Sequence, residues 1–265
     1  MQMRKYRIKI QRIKAVFISH LHGDHYFGLL GLLNSMQLLG RTSKLNIICP
    51  AKLKDIFELQ MEAGGGRFQF PIHYTFTDEI VESVGDTLVY SDANLSVTAF
   101  PLKHRIPCSG FLFKQQKKQR TFKKESLNLF GVPIKLIQEI KDGADFIMED
   151  GTIIPNALMT IDPPAPKTYA YCTDTLPMAE TSAYIKGCDT LYHEATFAEA
   201  DVTRAKQTFH STAKQAAIVA KNAEVRQLLI GHFSARYLDL ELLENEARTE
   251  FLNSFLAIEG KLFEI

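Results

Sequence analysis

The sequence predicts an α/β fold built from at least two sheets, and two observations carry that expectation, with a third pointing to a site upon it. Short apolar runs of strand length alternate with longer amphipathic segments. Some strand-like runs follow one another with only turn residues between them, which argues for more than one sheet. Residues of metal-ligand type stand repeatedly at the C-terminal ends of apolar runs, where open α/β sheets build their sites. A length of 265 residues with 46% hydrophobic content can bury one large core, so a single domain over 1–265 is expected.

Taken in order, "AVFIS" from Ala15 reads as a buried strand, and "YFGLLGLLNSMQLLG" as a helix ending near Gly40. "LNIIC" is a strand, and "AKLKDIFELQMEAGGG" a helix closed by a glycine loop. "FPIHYTF", "TLVYSD" and "LSVTAFPL" read as successive strands separated by turn residues. Further strands are expected at "TYAYCTD", "DTLYHEATF", "VRQLLIGHF" and "KLFEI". Helices are expected at "LPMAETSAYIKG", "STAKQAAIVAKNA" and "DLELLENEARTEFLNSF". The middle of the chain differs, with six Lys/Arg between Lys114 and Lys124 followed by a short helical piece.

Composition narrows the partners. A net charge of +1 gives no global field toward nucleic acid or membrane, so a polyanion would need a local basic patch. The four cysteines (Cys49, Cys108, Cys172 and Cys188) show no CxxC pair and read as reduced thiols. The basic start "MQMRKYRIKIQRIK" is followed by too short an apolar run for a signal peptide, and no stretch reaches membrane-spanning length. A cytoplasmic protein with no membrane contact is expected.

The densest chemistry is "HLHGDH". On an extended backbone His20 and His22 point to the same side, and after the Gly23 turn Asp24 and His25 open the next helix. So many imidazoles beside a carboxylate desolvate badly if buried unpaired. Imidazole nitrogen with carboxylate oxygen is the ligand set of zinc or a similar divalent metal. His104 follows "VTAFPLK", Asp174 follows "TYAYCT" and His232 follows "QLLIG". For His104 and Asp174 taken singly, a surface turn residue is the competing explanation; their shared strand-end position argues for one site.

HxHxDH followed by isolated His, Asp and His at strand ends resembles the metallo-β-lactamase superfamily, an αβ/βα sandwich of two mixed sheets flanked by helices. "HEATF" (His193 to Phe197), "HSTAKQAA" (His210 to Ala217) and "GHFSARY" (Gly231 to Tyr237) narrow the likeness to ribonuclease Z, the tRNA 3′-processing endonuclease family. The likeness runs from about Arg4 to the C-terminal strand. It implies two zinc ions per subunit, one on His20, His22 and His104, the other on Asp24, His25 and His232, bridged by Asp174. Asp24 would also orient the attacking hydroxide, and His210 would assist the leaving oxygen; a cap of the next helix by Ser211 or Thr212, with His210 merely adjacent, is the alternative.

His193 and Glu194 would fix ligand orientation, or form a satisfied strand-end pair. Arg236 would touch phosphate or a terminal base, with a salt bridge as the alternative. The segment 114–150 would be an inserted, protruding basic arm gripping tRNA through Lys114, Lys117, Lys118, Arg120, Lys123 and Lys124; a solvated hairpin face is the alternative. Two departures stand out. The Gly-Pro pair of many relatives is replaced in "GVPIKLIQEIKDG", and the paired strands that the resemblance implies before the first helix are not found ahead of it, so the chain reads as N-terminally shortened, as a fragment, or as given from a misassigned start. Their loss would leave a sheet edge exposed.

The leading expectation is therefore a zinc-dependent homodimeric endoribonuclease that cuts precursor tRNA and leaves a 3′-hydroxyl on it. A phosphodiesterase or other superfamily hydrolase acting on small substrates is the second, and has no use for the basic arm. The third is an inactive RNA-binding remnant, which predicts binding without turnover and little bound metal.

Overall fold

The computed structural model describes residues 2–82 and 85–265, arranged as two compact units. One comprises the chain up to Lys114 together with Thr168–Ile265, the other Gln115–Lys167.

The larger unit holds two sheets. Strands β1 (Ala15–Phe17), β2 (Leu45–Cys49) and β3 (Ile72–Phe76) form a parallel three-stranded sheet in that order. The second sheet contains β4 (Thr87–Ser91), β5 (Leu95–Leu102), β6 (Cys108–Gln115), β7 (Thr168–Cys172), β8 (Thr190–Glu194), β9 (Gln227–Gly231) and β10 (Ser254–Leu256). Its order is β10-β9-β8-β7-β6-β5-β4; β7 to β10 run parallel, while β6 pairs antiparallel with β7 and β4 with β5.

Alternation along β2 shows how the layers stack. Leu45, Ile47 and Cys49 pack with Leu29, Leu33 and Met36 of helix α1 (Gly23–Leu38) and with Leu53 and Phe57 of α2 (Lys52–Ala63). Ile48 points the other way, into a core shared with Val97, Ala99 and Phe111 of the second sheet. Phe17 meets Phe111 and Phe113 edge-on there, with ring centroids 5.3 and 5.0 Å apart. Beyond the second sheet, α3 (Ala179–Tyr184), α5 (Ala213–Asn222) and α6 (Glu241–Glu250) cover Leu191, Leu228 and Ile230; a short helix α4 (Val202–Thr208) precedes α5. The buried face of α5 is Ala213, Ala216, Ala217, Val219 and Ala220, small side chains that let the helix lie close to the sheet. Helix, sheet, sheet, helix is the αβ/βα sandwich that the resemblance implies. Each fully buried Leu, Ile or Phe in these layers contributes about 1.5–3 kcal/mol relative to exposure.

The C-terminal expectation needs correction. The predicted helix over "DLELLENEARTEFLNSF" stops at Glu250, because Phe251 turns to extended backbone (φ −142°, ψ 101°). Ser254–Leu256 then pairs in parallel with β9, so the last strand lies in "SFL" and "KLFEI" joins no ladder. Helical periodicity continues smoothly through "FLNSF", and the open edge of β9 overrides it.

The smaller unit has its own core of Val132, Ile140, Phe146, Ile154 and Met159. Thr121–Phe122 pairs antiparallel with Thr160–Ile161, and Phe146–Ile147 with Ile153–Ile154. Asn156 ties it together, donating from Nδ2 to the carbonyls of Ile140 (2.6 Å) and Ala144 (2.7 Å). The unit continues to Lys167, beyond the 150 expected for the arm, because the strand that closes it is Thr160–Ile161. Two-residue strands leave no periodic trace in a sequence.

Candidate metal centre

All the strand-end residues converge. β1 leads through buried Ser19 and His20 to His22, which takes extended backbone (φ −73°, ψ 144°) before α1 begins and carries Asp24 and His25 in its first turn. β5 delivers His104, β7 delivers Asp174 and β9 delivers His232. Ligand atoms of His20, His22, His104 and Asp174 lie within 4.8 Å of one another, as do those of Asp24, His25 and His232. A third such group joins His210 to Asp174 and His232.

Asp174 stands between the first two groups with one oxygen toward each. Its Oδ2 is 3.6 Å from Nε2 of both His20 and His104. Its Oδ1 is 3.5 Å from His25 Nε2 and 3.3 Å from His232 Nε2. Asp24 Oδ2 closes the second group at 3.5 Å from His25 Nε2 and 3.9 Å from His232 Nε2. That is the disposition of a carboxylate shared by two cation positions.

The donor atoms themselves fit divalent metal. His25 Nε2 is buried and has no hydrogen-bond partner among the described residues, an expensive state for a polar atom unless it carries another partner. His22 Nδ1 lies 3.0 Å from His20 Nε2 and 3.2 Å from His104 Nε2, so three ring nitrogens crowd one point. Burial, reinforced by the charge of His25, lowers the His20 pKa to about 3, leaving the neutral imidazole that ligates. Burial lowers His104 too. At His25 burial also disfavours charge, but Asp174 outweighs it and the net shift is upward. Asp174 itself, although burial resists ionisation, is held well below the usual carboxylate range by His25, His232 and His20.

The imidazoles are oriented from behind. His20 Nδ1 contacts Ser19 Oγ at 3.0 Å, and His104 Nδ1 donates to the Phe209 carbonyl at 2.9 Å. Phe209 can present that carbonyl because it adopts the left-handed conformation (φ 60°) at the end of α4. Thr212 caps the next helix in a reciprocal box with Gln215, as the alternative reading has it, but His210 is not merely adjacent. His210 Nδ1 donates to Glu194 Oε1 at 2.8 Å. Burial pulls the His210 pKa down, but the Glu194 hydrogen bond and charge exceed it and the shift is upward.

Glu194 is fully buried and accepts also from the backbone N–H groups of Thr175 (2.8 Å) and Thr196 (3.1 Å). His193 plays a different part. Fully buried, it donates from Nδ1 to the Glu194 carbonyl at 2.7 Å, and its Nε2 is unpartnered among the described residues. Burial lowers its pKa, so it is a neutral ring packed into β8.

The predicted substrate residues separate. Lys114, Lys117, Lys118 and Lys124 are exposed. Arg120 donates to Thr160 Oγ1 at 2.6 Å and pairs with Asp162. Lys123 donates to the carbonyls of Ala157 (3.0 Å) and Leu158 (3.1 Å), so both are engaged within the smaller unit. Arg236 pairs with Asp201 at 3.6 Å and lies over the Phe197 ring, 5.3 Å from its centroid, which is the salt-bridge alternative. Sequence reasoning passed over Arg105, exposed beside His104 and close enough for its charge to oppose, in small part, the upward shift of His210. It also passed over Thr196, whose only signal was its place in "HEATF".

Residues 1–163 match the β-lactamase superfamily domain. The chain is 46% identical over 259 residues to the ribonuclease Z of Parabacteroides distasonis, covering 98% of this chain and 84% of that protein. It is 44% identical over 265 residues to the ribonuclease Z of Bacteroides thetaiotaomicron, covering 100% of this chain and 83% of that one. Among solved structures, human tRNase Z, short form, superposes with a TM-score of 0.66 at 24% identity, over 99% of this chain and 83% of its own. A diphosphatase of the PhnP family shares the fold with a TM-score of 0.56 at 15% identity, over 99% of this chain and 75% of its own.

Proposed function

The chain belongs to the ribonuclease Z family of the β-lactamase superfamily, and from that membership we propose that it is a zinc-dependent endoribonuclease removing the 3′ trailer from precursor tRNA. The observation that carries the two-ion part is the split of Asp174, whose two carboxylate oxygens face separate histidine groups. His20, His22 and His104 would hold one zinc, Asp24, His25 and His232 the other, with Asp174 between them. Bound there, two divalent ions supply Lewis-acid polarisation of a phosphoryl group and lower the pKa of water.

The chain's own residues provide the rest. Asp24, exposed at the start of α1, accepts a hydrogen bond from the attacking hydroxide and orients it, and the hydroxide oxygen bonds to phosphorus. The phosphorus–oxygen bond to the tRNA 3′-oxygen breaks, and His210 delivers a proton to that oxygen from Nε2. The tRNA keeps a 3′-hydroxyl and the trailer carries the phosphate. Glu194, bonded to His210 Nδ1, fixes which nitrogen faces the substrate and favours the charged ring before transfer. The exposed Lys114, Lys117, Lys118 and Lys124 supply phosphate contacts that a chain of net charge +1 otherwise lacks. The fold alone does not choose this substrate, being shared with a diphosphatase; the relatives above 40% identity and the basic stretch favour it. A cytoplasmic homodimer is the form proposed.

The test is cleavage of an end-labelled precursor tRNA bearing a 3′ trailer, by the zinc-loaded chain and a chelated control. A single cut at the trailer junction, lost on chelation, is expected. A folded, zinc-loaded chain that leaves the precursor intact overturns the proposal.

A further inference from the structure

The side chain of Thr196 stands where the candidate ligands meet the proton-handling pair. Its Oγ1 lies 2.6 Å from Glu194 Oε2, 2.9 Å from His232 Nδ1 and 3.4 Å from His210 Nδ1. A hydroxyl has one proton to give. Glu194 is the acceptor for every other group around it, including the Thr196 backbone N–H at 3.1 Å and the Thr175 N–H at 2.8 Å. The shortest of the three hydroxyl contacts is also to Glu194, so the proton goes there. Toward His232 the hydroxyl can then only accept, which requires the proton of that imidazole on Nδ1. The lone pair is left on Nε2, the atom turned toward Asp174 Oδ1 at 3.3 Å.

The backbone around this contact is held in place independently. Ala195 N–H donates to the Gly231 carbonyl at 2.8 Å, and Ser234 N–H to the Thr196 carbonyl at 3.1 Å, so the two segments are stitched on both sides of the pair. His232 takes the left-handed conformation (φ 59°), which a side chain with a Cβ adopts only when its surroundings insist. The strand end, the stitch and the hydroxyl together aim the ring.

We propose that Thr196 is a positioning residue that fixes His232 in the Nδ1–H tautomer and so sets the affinity of the cation position formed by Asp24, His25 and His232. It also ties that position to Glu194, the group that orients His210, so one buried carboxylate aligns a ligand and a proton donor together. The metal-affinity part rests on the two-ion reading above; the tautomer part does not.

Two measurements test it. Long-range proton–nitrogen NMR on the metal-free chain reads the His232 tautomer directly, and Nδ1–H is expected; a dominant Nε2–H ring overturns the inference whatever any variant does. Zinc titration against a competing chelator then compares the natural chain with Thr196→Val, which keeps the shape without the hydroxyl, and Thr196→Ser, which restores it. One of the two zinc ions is expected to weaken roughly 10–100-fold in Thr196→Val and to recover in Thr196→Ser. Unchanged zinc affinity in a folded Thr196→Val chain, or equal weakening of both ions with no recovery in Thr196→Ser, overturns it. A natural chain that takes up no zinc defeats the two-ion reading instead, and the NMR result still decides the tautomer.

Discussion

His210 Nδ1 donates to Glu194 Oε1 at 2.8 Å, joining a half-buried imidazole to a carboxylate wholly removed from solvent. The pair forms because β8 ends at Glu194 and the chain returns through α4 to place His210 beside it. Replacing His210 with alanine is expected to lower kcat for tRNA cleavage by about 10²–10⁴-fold, the span a positioned general acid supplies. Glu194→Gln should lower it by less, with KM little changed, since the group acts on the transition state through His210. Steady-state kinetics on zinc-loaded variants of equal metal content checks both. A His210→Ala chain with unaltered kcat would remove the histidine from the chemistry.

Asp174 is the one residue whose loss should empty both cation positions. Asp174→Ala is expected to retain its secondary structure by circular dichroism while losing most of its bound zinc. Asp24→Ala should leave the position of His20, His22 and His104 occupied. Metal analysis after dialysis reads this as the number of zinc ions per chain. Full zinc content in Asp174→Ala would mean that its two oxygens do not serve two ions.

How much of this was legible in the sequence follows from how local each signal is. His20, His22, Asp24 and His25 are neighbours in the chain, so their density speaks without the fold. His104, Asp174 and His232 are single residues, readable because each ends an apolar strand. The hydrogen bonds that Thr196 accepts from His232 and that Thr175 donates to Glu194 were not legible, since they join positions brought together only by the folded backbone. Nor was the engagement of Lys123, whose partners are carbonyls more than thirty positions away. Sequence identity tells nothing of a carbonyl's position; only the folded backbone does.

Gly231, the last residue of β9, sits where a methyl group cannot. A Cβ there would lie 2.3 Å from the Tyr192 hydroxyl oxygen, and the Gly231 carbonyl holds Ala195. Gly231→Ala must therefore displace a ring stacked on Tyr171, with centroids 4.9 Å apart, or push the His232 loop outward. Overpacking of this kind costs about 1–3 kcal/mol. For a chain of this size the expected fall in Tm is several degrees, at roughly 2–4 °C per kcal/mol, with weakened zinc binding beside it. Thermal denaturation with and without zinc reads both, and a variant as stable as the natural chain would show that the Tyr192 ring yields freely.

The exposed lysines distinguish a tRNA enzyme from a small-diester hydrolase with the same centre. Lys117 and Lys118 are exposed, whereas Lys123 and Arg120 hold the smaller unit together. Reversing Lys117 and Lys118 to glutamate should therefore weaken precursor binding without unfolding that unit. Every lysine that pairs with a phosphate is expected, when reversed, to reduce the log–log salt dependence of binding by about 1. Turnover of a small phosphodiester such as bis(p-nitrophenyl) phosphate should stay unchanged, because it needs only the metal centre. Filter binding across a salt series, run beside the small-diester assay, reads both quantities. Equal loss of both activities in a folded chain would mean that the basic stretch supports the centre and does not grip RNA. Undiminished tRNA binding would move the grip to other cations, with exposed Arg105 beside His104 the first to examine.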